Sequence, residues 1–189
     1  MTETLINRVL TFWFGAPDSD EYGKPREAWF KKDDGFDQAI RDGFAEDTVK
    51  AAAGEFDQLL DSKEGALALC ILLDQFPRNL YRGSPQSFAA DAKACAVAGA
   101  ALDKGYDGDL IPVQRTFLYM PFMHSENLDD QQRCVALFEA LGNENNLKFA
   151  IAHRDIIARF GRFPHRNGVL GRNSTEEEVA FLETPGSSF

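Results

Sequence analysis

Residues 66–79 read ALALCILLDQFPRN. The run Ala66–Leu73 is apolar without a break, so it has no polar face to offer to water. That predicts a helix buried on every side, at the centre of the molecule, and not an amphipathic helix lying on a surface. The run then meets Asp74, and Pro77 follows three residues later. A residue before proline is pushed away from helical backbone, so the helix is expected to end near Phe76. On that reading Asp74 stands in a last helical turn, where negative charge opposes the helix dipole at roughly 0.3–1 kcal/mol and burial adds desolvation. It calls for a cationic partner, and Arg78 and Arg82 lie just beyond.

The same pattern returns near the other end. Phe76-Pro77-Arg78-Asn79 is echoed by Phe163-Pro164-His165-Arg166-Asn167, with one histidine inserted. Both stretches are read as helix stops: proline ends the helix, Arg and Asn occupy the bend, and Ser84 or Ser174 precedes the next helix.

Around these two anchors no stretch alternates as a half-buried strand would, while helical spacing recurs throughout. Leu5, Ile6, Val9, Leu10 and Trp13 share one face of a first helix stopped by Gly15 and Pro17. Pro25 opens a short helix with Trp29 and Phe30. Phe36, Ile40, Phe44 and Val49 line a second face that ends at Gly54. Ser62 caps the central helix and Asp91 caps one running to Lys104. Pro112 opens another, through about Met120, with Pro121 near its end. Two more helices cover about 129–141 and 146–160, and Ser174–Glu177 forms a capping box for a last one, through about Leu182. The glycines closing successive hairpins, Gly105 and Gly142, are 37 positions apart. This rhythm predicts an all-α, TPR-like array of antiparallel helical hairpins, about eight to nine helices in a single domain, with 183–189 as a frayed tail.

Composition narrows the function classes. The chain has 189 residues, 44% hydrophobic and 26% charged, which is ordinary for a globular protein. No apolar run approaches the roughly 20 residues that span a bilayer, and the stretch MTETLINRVLTFWFG does not have the form of a signal peptide. A cytoplasmic protein without a membrane partner is expected. The three cysteines, Cys70, Cys95 and Cys134, are widely spaced in apolar segments and read as buried free thiols. A formal charge of -10 argues against nucleic-acid binding. Yet between Ala150 and Arg172 stand five arginines (154, 159, 162, 166 and 172) and two of the three histidines, against one acid, Asp155.

VLTFWFG at 9–15, WFKKDDGFDQAI at 29–40, LALCILLDQFPRNLYRG at 67–83, RTFLYMPFMHSE at 115–126 and HRDIIARFGRFPHRN at 153–167 are, taken in order, similar to the bacterial family called domain of unknown function 924. The resemblance implies a TPR-like helical fold and no activity.

Two functions of different class follow. In the first, an Arg/His/Asp-rich pocket binds a small anionic ligand. Arg78, Asn79, Arg115, His124, Glu126, Arg162, His165, Arg166 and Asn167 are its candidate ligand-binding residues, because guanidinium forks suit carboxylate and phosphate. Asp74 and His153 are the candidates for acid–base chemistry, as groups whose pKa burial would shift. His153 also fits a plain core position, on one helical face with Phe149, Ile156 and Phe160. In the second, a TPR-like module takes a peptide on a concave face and the polar cluster is a structural network. Neither reading discloses a reaction, or whether the protein is an enzyme, and no cofactor is implied. His124, Glu126, His153 and Asp155 are the residues a metal would need, but no His-x3-His, HExxH or cysteine pair supports one, so no metal is expected. Gly-x-Ser-x-Gly, Walker and GxGxxG elements are absent from the sequence. The aromatic stretch at 12–14 and Trp29-Phe30 read as core.

Overall fold

The structure, a computed structural model, describes residues 4–188. Among these residues it is all helical, with no strand. The α-helices are α1 (Leu5–Phe14), α2 (Asp34–Ala53), α3 (Lys63–Cys70), α4 (Phe76–Leu80), α5 (Asp91–Asp103), α6 (Pro112–His124), α7 (Leu128–Leu141), α8 (Glu144–Phe160) and α9 (Glu176–Leu182). Packing divides the chain into two compact units. Among the described residues the first holds 4–82 and 86–121, the second 83–85 and 122–188.

In the first unit the run Ala66–Leu73 is fully buried, as its unbroken apolarity predicts. α1 and α5 pack on α3, and α2 packs on α4. Ser62 caps α3 by accepting the Gly65 N–H at 3.1 Å. Gly65 is also where the preceding turn comes closest. A Cβ there would lie 2.0 Å from the Leu59 carbonyl oxygen. Gly65→Ala is therefore expected to lower stability by about 1–3 kcal/mol, the range for forced overpacking, read as a lower urea midpoint.

Pro77 does not stop the helix. Ile71–Gln75 form a π turn in which the Phe76 N–H reaches back five residues to the Ile71 carbonyl, and α4 continues the rod to Leu80. In a regular α-helix proline loses a hydrogen bond and its ring strikes the carbonyl four residues back. The wider π turn just before it lets the chain pass through Pro77 in helical backbone. Asp74 accordingly sits inside a continuous helical rod, not in a last turn, and the expected dipole penalty does not apply. Pro121 behaves similarly: α6 runs past it to His124.

Trp13 and Phe14 are fully buried and Phe12 half-buried, so the aromatic stretch of α1 is core. Trp13 stacks on Trp29 at 5.9 Å and meets Phe117 edge-on at 5.3 Å. Val49, by contrast, is 57% exposed and leaves the α2 stripe that Ile40 and Phe44 define.

In the second unit α7 and α8 pack on each other, joined only by Gly142 and Asn143. Gly142 closes α7 in left-handed backbone and the Asn143 side chain opens α8 by accepting the Asn146 N–H. Here the helix does end before the second Phe-Pro stretch, but at a glycine and not at the proline. Gly161, at φ 67°, ends α8, and Pro164–Arg166 form a short 3-10 turn. The capping box lies one residue later than the sequence suggests, with Thr175 as cap and Glu178 returning the bond. In the tail, Ser187 is buried and its hydroxyl donates to the Leu182 carbonyl at 3.1 Å, while Phe189 lies outside the described residues.

Candidate functional site

The first unit holds Asp74 with no exposed surface. Its carboxylate accepts from Gln75 Nε2 at 2.6 Å and pairs with Arg78 at 3.2 Å. Arg78 also donates to the Asp74 carbonyl at 2.6 Å and forks onto the Asp91 carboxylate, both bonds at 2.9 Å. One planar guanidinium thus ties the rod to α5. Burial acts against its charge, but Asp74 and Asp91 outweigh that and hold its pKa above the usual range. The sequence places Asp91 as the cap of α5. Ala90 holds that position instead, and the Asp91 carboxylate faces Arg78. Asn79 donates to Asp37 at 2.7 Å, and Arg82 binds the same carboxylate. Arg115 donates to the Leu110 and Gly108 carbonyls at 2.8 and 3.0 Å, pinning the turn that enters α6.

The second unit gathers the remaining candidates. Glu126, just past α6, accepts the Phe163 N–H at 2.8 Å and a bidentate fork from Arg172 at 2.7 and 3.0 Å. Burial would raise its pKa; Arg172, the Phe163 N–H and the charge of Arg166 overcome this and leave it lowered. Arg172 further donates to Asn167 Oδ1, and Asn167 passes the chain on to Ser174 and Glu178. Glu178, 2% exposed, takes a second fork from Arg162 at 2.6 and 2.8 Å. That fork, aided by the Thr175 N–H, holds its carboxyl down to about 2. Two Arg–Glu forks and one asparagine therefore tie the second Phe-Pro loop to Glu126 on one side and to α9 on the other. Arg159 and Arg154 lie apart from this lock, paired with Glu177 and Asp155. The i,i+4 pairing of Asp155 with Arg159 that the spacing allows is not the one formed.

Phe163, fully buried, is the platform beside this lock. Arg166 lies over its ring at 4.5 Å and donates to the His124 carbonyl at 3.0 Å. His153 meets Phe163 edge-on at 5.6 Å, His165 lies 5.5 Å away, and the His124 and His153 rings are 6.4 Å apart. His153 Nδ1 is 2.8 Å from the Phe149 carbonyl, a contact that requires the proton on Nδ1, so in the neutral ring Nε2 carries the lone pair. Burial, with His124 and Arg166 nearby, lowers the His153 pKa to about 3; burial and Arg166 lower His165 to about 4. Both rings are neutral at physiological pH. Among the described residues no group of three or more His, Cys, Asp or Glu side chains is arranged to hold a metal ion.

The site also contains residues that sequence reasoning passes over. Gln131 is fully buried, and its amide nitrogen donates to the Met123 and Ser125 carbonyls, on either side of His124, each at 2.7 Å. Its Oε1 has no hydrogen-bond partner within the protein. A glutamine on an amphipathic helix gives no signal of burial. Glu178 is passed over as well, because the sequence places the capping box at Ser174–Glu177, one residue before it.

These features define an all-helical protein with a histidine- and arginine-rich cluster in its second unit. The chain belongs to the family described as bacterial protein of unknown function (DUF924), which it matches over residues 9–186. It is similar to the solved structure of a protein of unknown function from Agrobacterium tumefaciens, at 41% identity and a TM-score of 0.86, over 95% of this chain and 97% of that one. No curated protein matches it. No helix among the described residues is long and apolar enough to cross a membrane.

Proposed function

We propose that the second unit binds a small anionic ligand at the cluster of three histidines and Arg166 on Phe163. One observation carries this reading: all three histidines of the chain, far apart in sequence, lie around one aromatic ring or against each other. The charge of Arg166 is felt by His153, His165 and Glu126, which places a buried guanidinium within the cluster, beside the Glu126 carboxylate. Neutral His165 has one ring N–H to donate without adding a positive charge, whereas the only proton of His153 is already given to the Phe149 carbonyl. The His165 N–H and the Arg166 guanidinium together suit phosphate or carboxylate. The lone pair on His153 Nε2 makes that residue the acid–base candidate of this unit.

Inorganic phosphate and acetate, at ionic strength matched with chloride, test it by thermal shift. A saturable rise in Tm is expected with the wild type, with Kd on the order of 1 mM or tighter, and its loss in Arg166→Gln and in His165→Ala. An equal rise in all three proteins, or none with either anion, would remove the reading. The alternative, a TPR-like module holding a peptide, predicts a peptide partner retained by the wild type and by Arg166→Gln alike.

A further inference from the structure

We infer that the first unit carries a binding site of its own, for a small primary amine on an apolar body. The site is a cleft of 430 Å³, within the range of small-molecule pockets. It is built by one face of α1, the loop after α1, the start of α3 and the segment entering α6. Its floor is apolar: Leu10, Leu67, Leu110 and Ile111. One wall is a tyrosine–glutamine pair. Gln114, 8% exposed, accepts the Ile111 N–H on Oε1 and donates from Nε2 to the Tyr22 hydroxyl, both at 3.2 Å. The Tyr22 oxygen is thereby an acceptor toward Gln114, and its own proton remains to be donated in another direction.

The rim sets the charge of the occupant. Lys63 Nζ stands 3.5 Å from Asp109 and 4.0 Å from Glu64. Both distances exceed the 2.7–2.9 Å of a tight charge-assisted bond, so one lysine is loosely shared between two carboxylates. The rim has two negative charges and one positive, and a second ammonium completes it. Such exposed pairs contribute only about 0–1 kcal/mol, so they rearrange at little cost when a ligand arrives. A few carbons attached to that ammonium fill the leucine floor, and an acceptor atom on the ligand takes the Tyr22 proton. The charge preference is opposite to that of the histidine cluster, and this inference does not rest on that reading.

Hexylamine, hexanol and hexanoate, equal in length and different in charge, are the probes. Titration of the full chain followed by 1H–15N NMR should give saturable shifts for hexylamine at Leu10, Tyr22, Leu110 and Ile111. Hexanol should bind roughly tenfold more weakly and hexanoate more weakly still. Glu64 and Asp109 are exposed, so Glu64→Gln/Asp109→Asn does not threaten folding. It should weaken hexylamine roughly tenfold and leave hexanol unchanged, while Arg166→Gln changes neither. Equal affinity for amine and alcohol, an unchanged amine affinity in the double variant, shifts centred on His124 and His165, or no saturable shift would each overturn the inference.

Discussion

Replacing Arg78 with methionine is expected to remove about 3–5 kcal/mol of stability, the range for breaking a buried ion pair from one side. The effect is large because Arg78 serves two carboxylates at once. Asp74 is fully buried, and the Asp91 side chain is 12% exposed. Methionine keeps much of the apolar stem and deletes only the fork, so the loss reports charge and hydrogen bonding more than packing. Asp74 then has an incentive to take up a proton. The deficit of the variant relative to the wild type at the same pH should therefore shrink between pH 7 and pH 5, and Asp74→Asn on the Arg78→Met background should regain part of the lost stability at pH 7. Urea unfolding measures both, with a lower midpoint and an unchanged slope. A loss below about 1 kcal/mol, the size of an exposed pair, would mean that Asp74 is sustained chiefly by neighbours other than Arg78.

The central helix was legible because Ala66–Leu73 has one physical solution, complete burial. Gly54, Gly142 and Gly161 were legible as helix ends because left-handed backbone selects glycine. Pro77 was misleading for a reason outside the local rule. The rule compares α-helix with stop, and the chain used a third state, a π turn. The capping box was misplaced by one residue because Ser174 and Thr175 both cap well and three glutamates follow, so either register looks complete. The candidate residues of the second unit were visible by type, since Arg, His and Asn are rare companions in an acidic chain. Their roles were not. Whether Arg162 and Arg172 serve a ligand or a lock depends on Glu178 and Glu126, the latter 46 residues from Arg172, and such pairings are decided by the fold.

The histidine cluster makes stability depend on pH in a window that no carboxylate of the lock shares. His153 titrates at about 3 in the fold and near 6.5 when unfolded, and His165 at about 4. Between pH 6.5 and the folded value the unfolded chain binds the extra proton and the native chain does not. Stability therefore rises with pH across that window and falls as acid is added. At pH 5 the contribution of His153 is a loss of about 2 kcal/mol relative to pH 7, and His165, also unprotonated in the fold at that pH, adds a comparable loss. Glu178, held at about 2, has the same sign, but its loss begins only as pH falls below about 4.5. A urea-midpoint series from pH 7 to pH 5 thus isolates the imidazoles. His153→Leu keeps the position apolar and removes the titrating ring, and the Phe149 carbonyl remains within the α8 hydrogen-bond ladder. The variant should lose about one proton's worth of slope, so that it gains on the wild type as pH falls toward 5. Identical slopes would show that His153 is already solvated or charged in the native state, and the neutral, tautomer-fixed imidazole on which the proposed site depends would go with it.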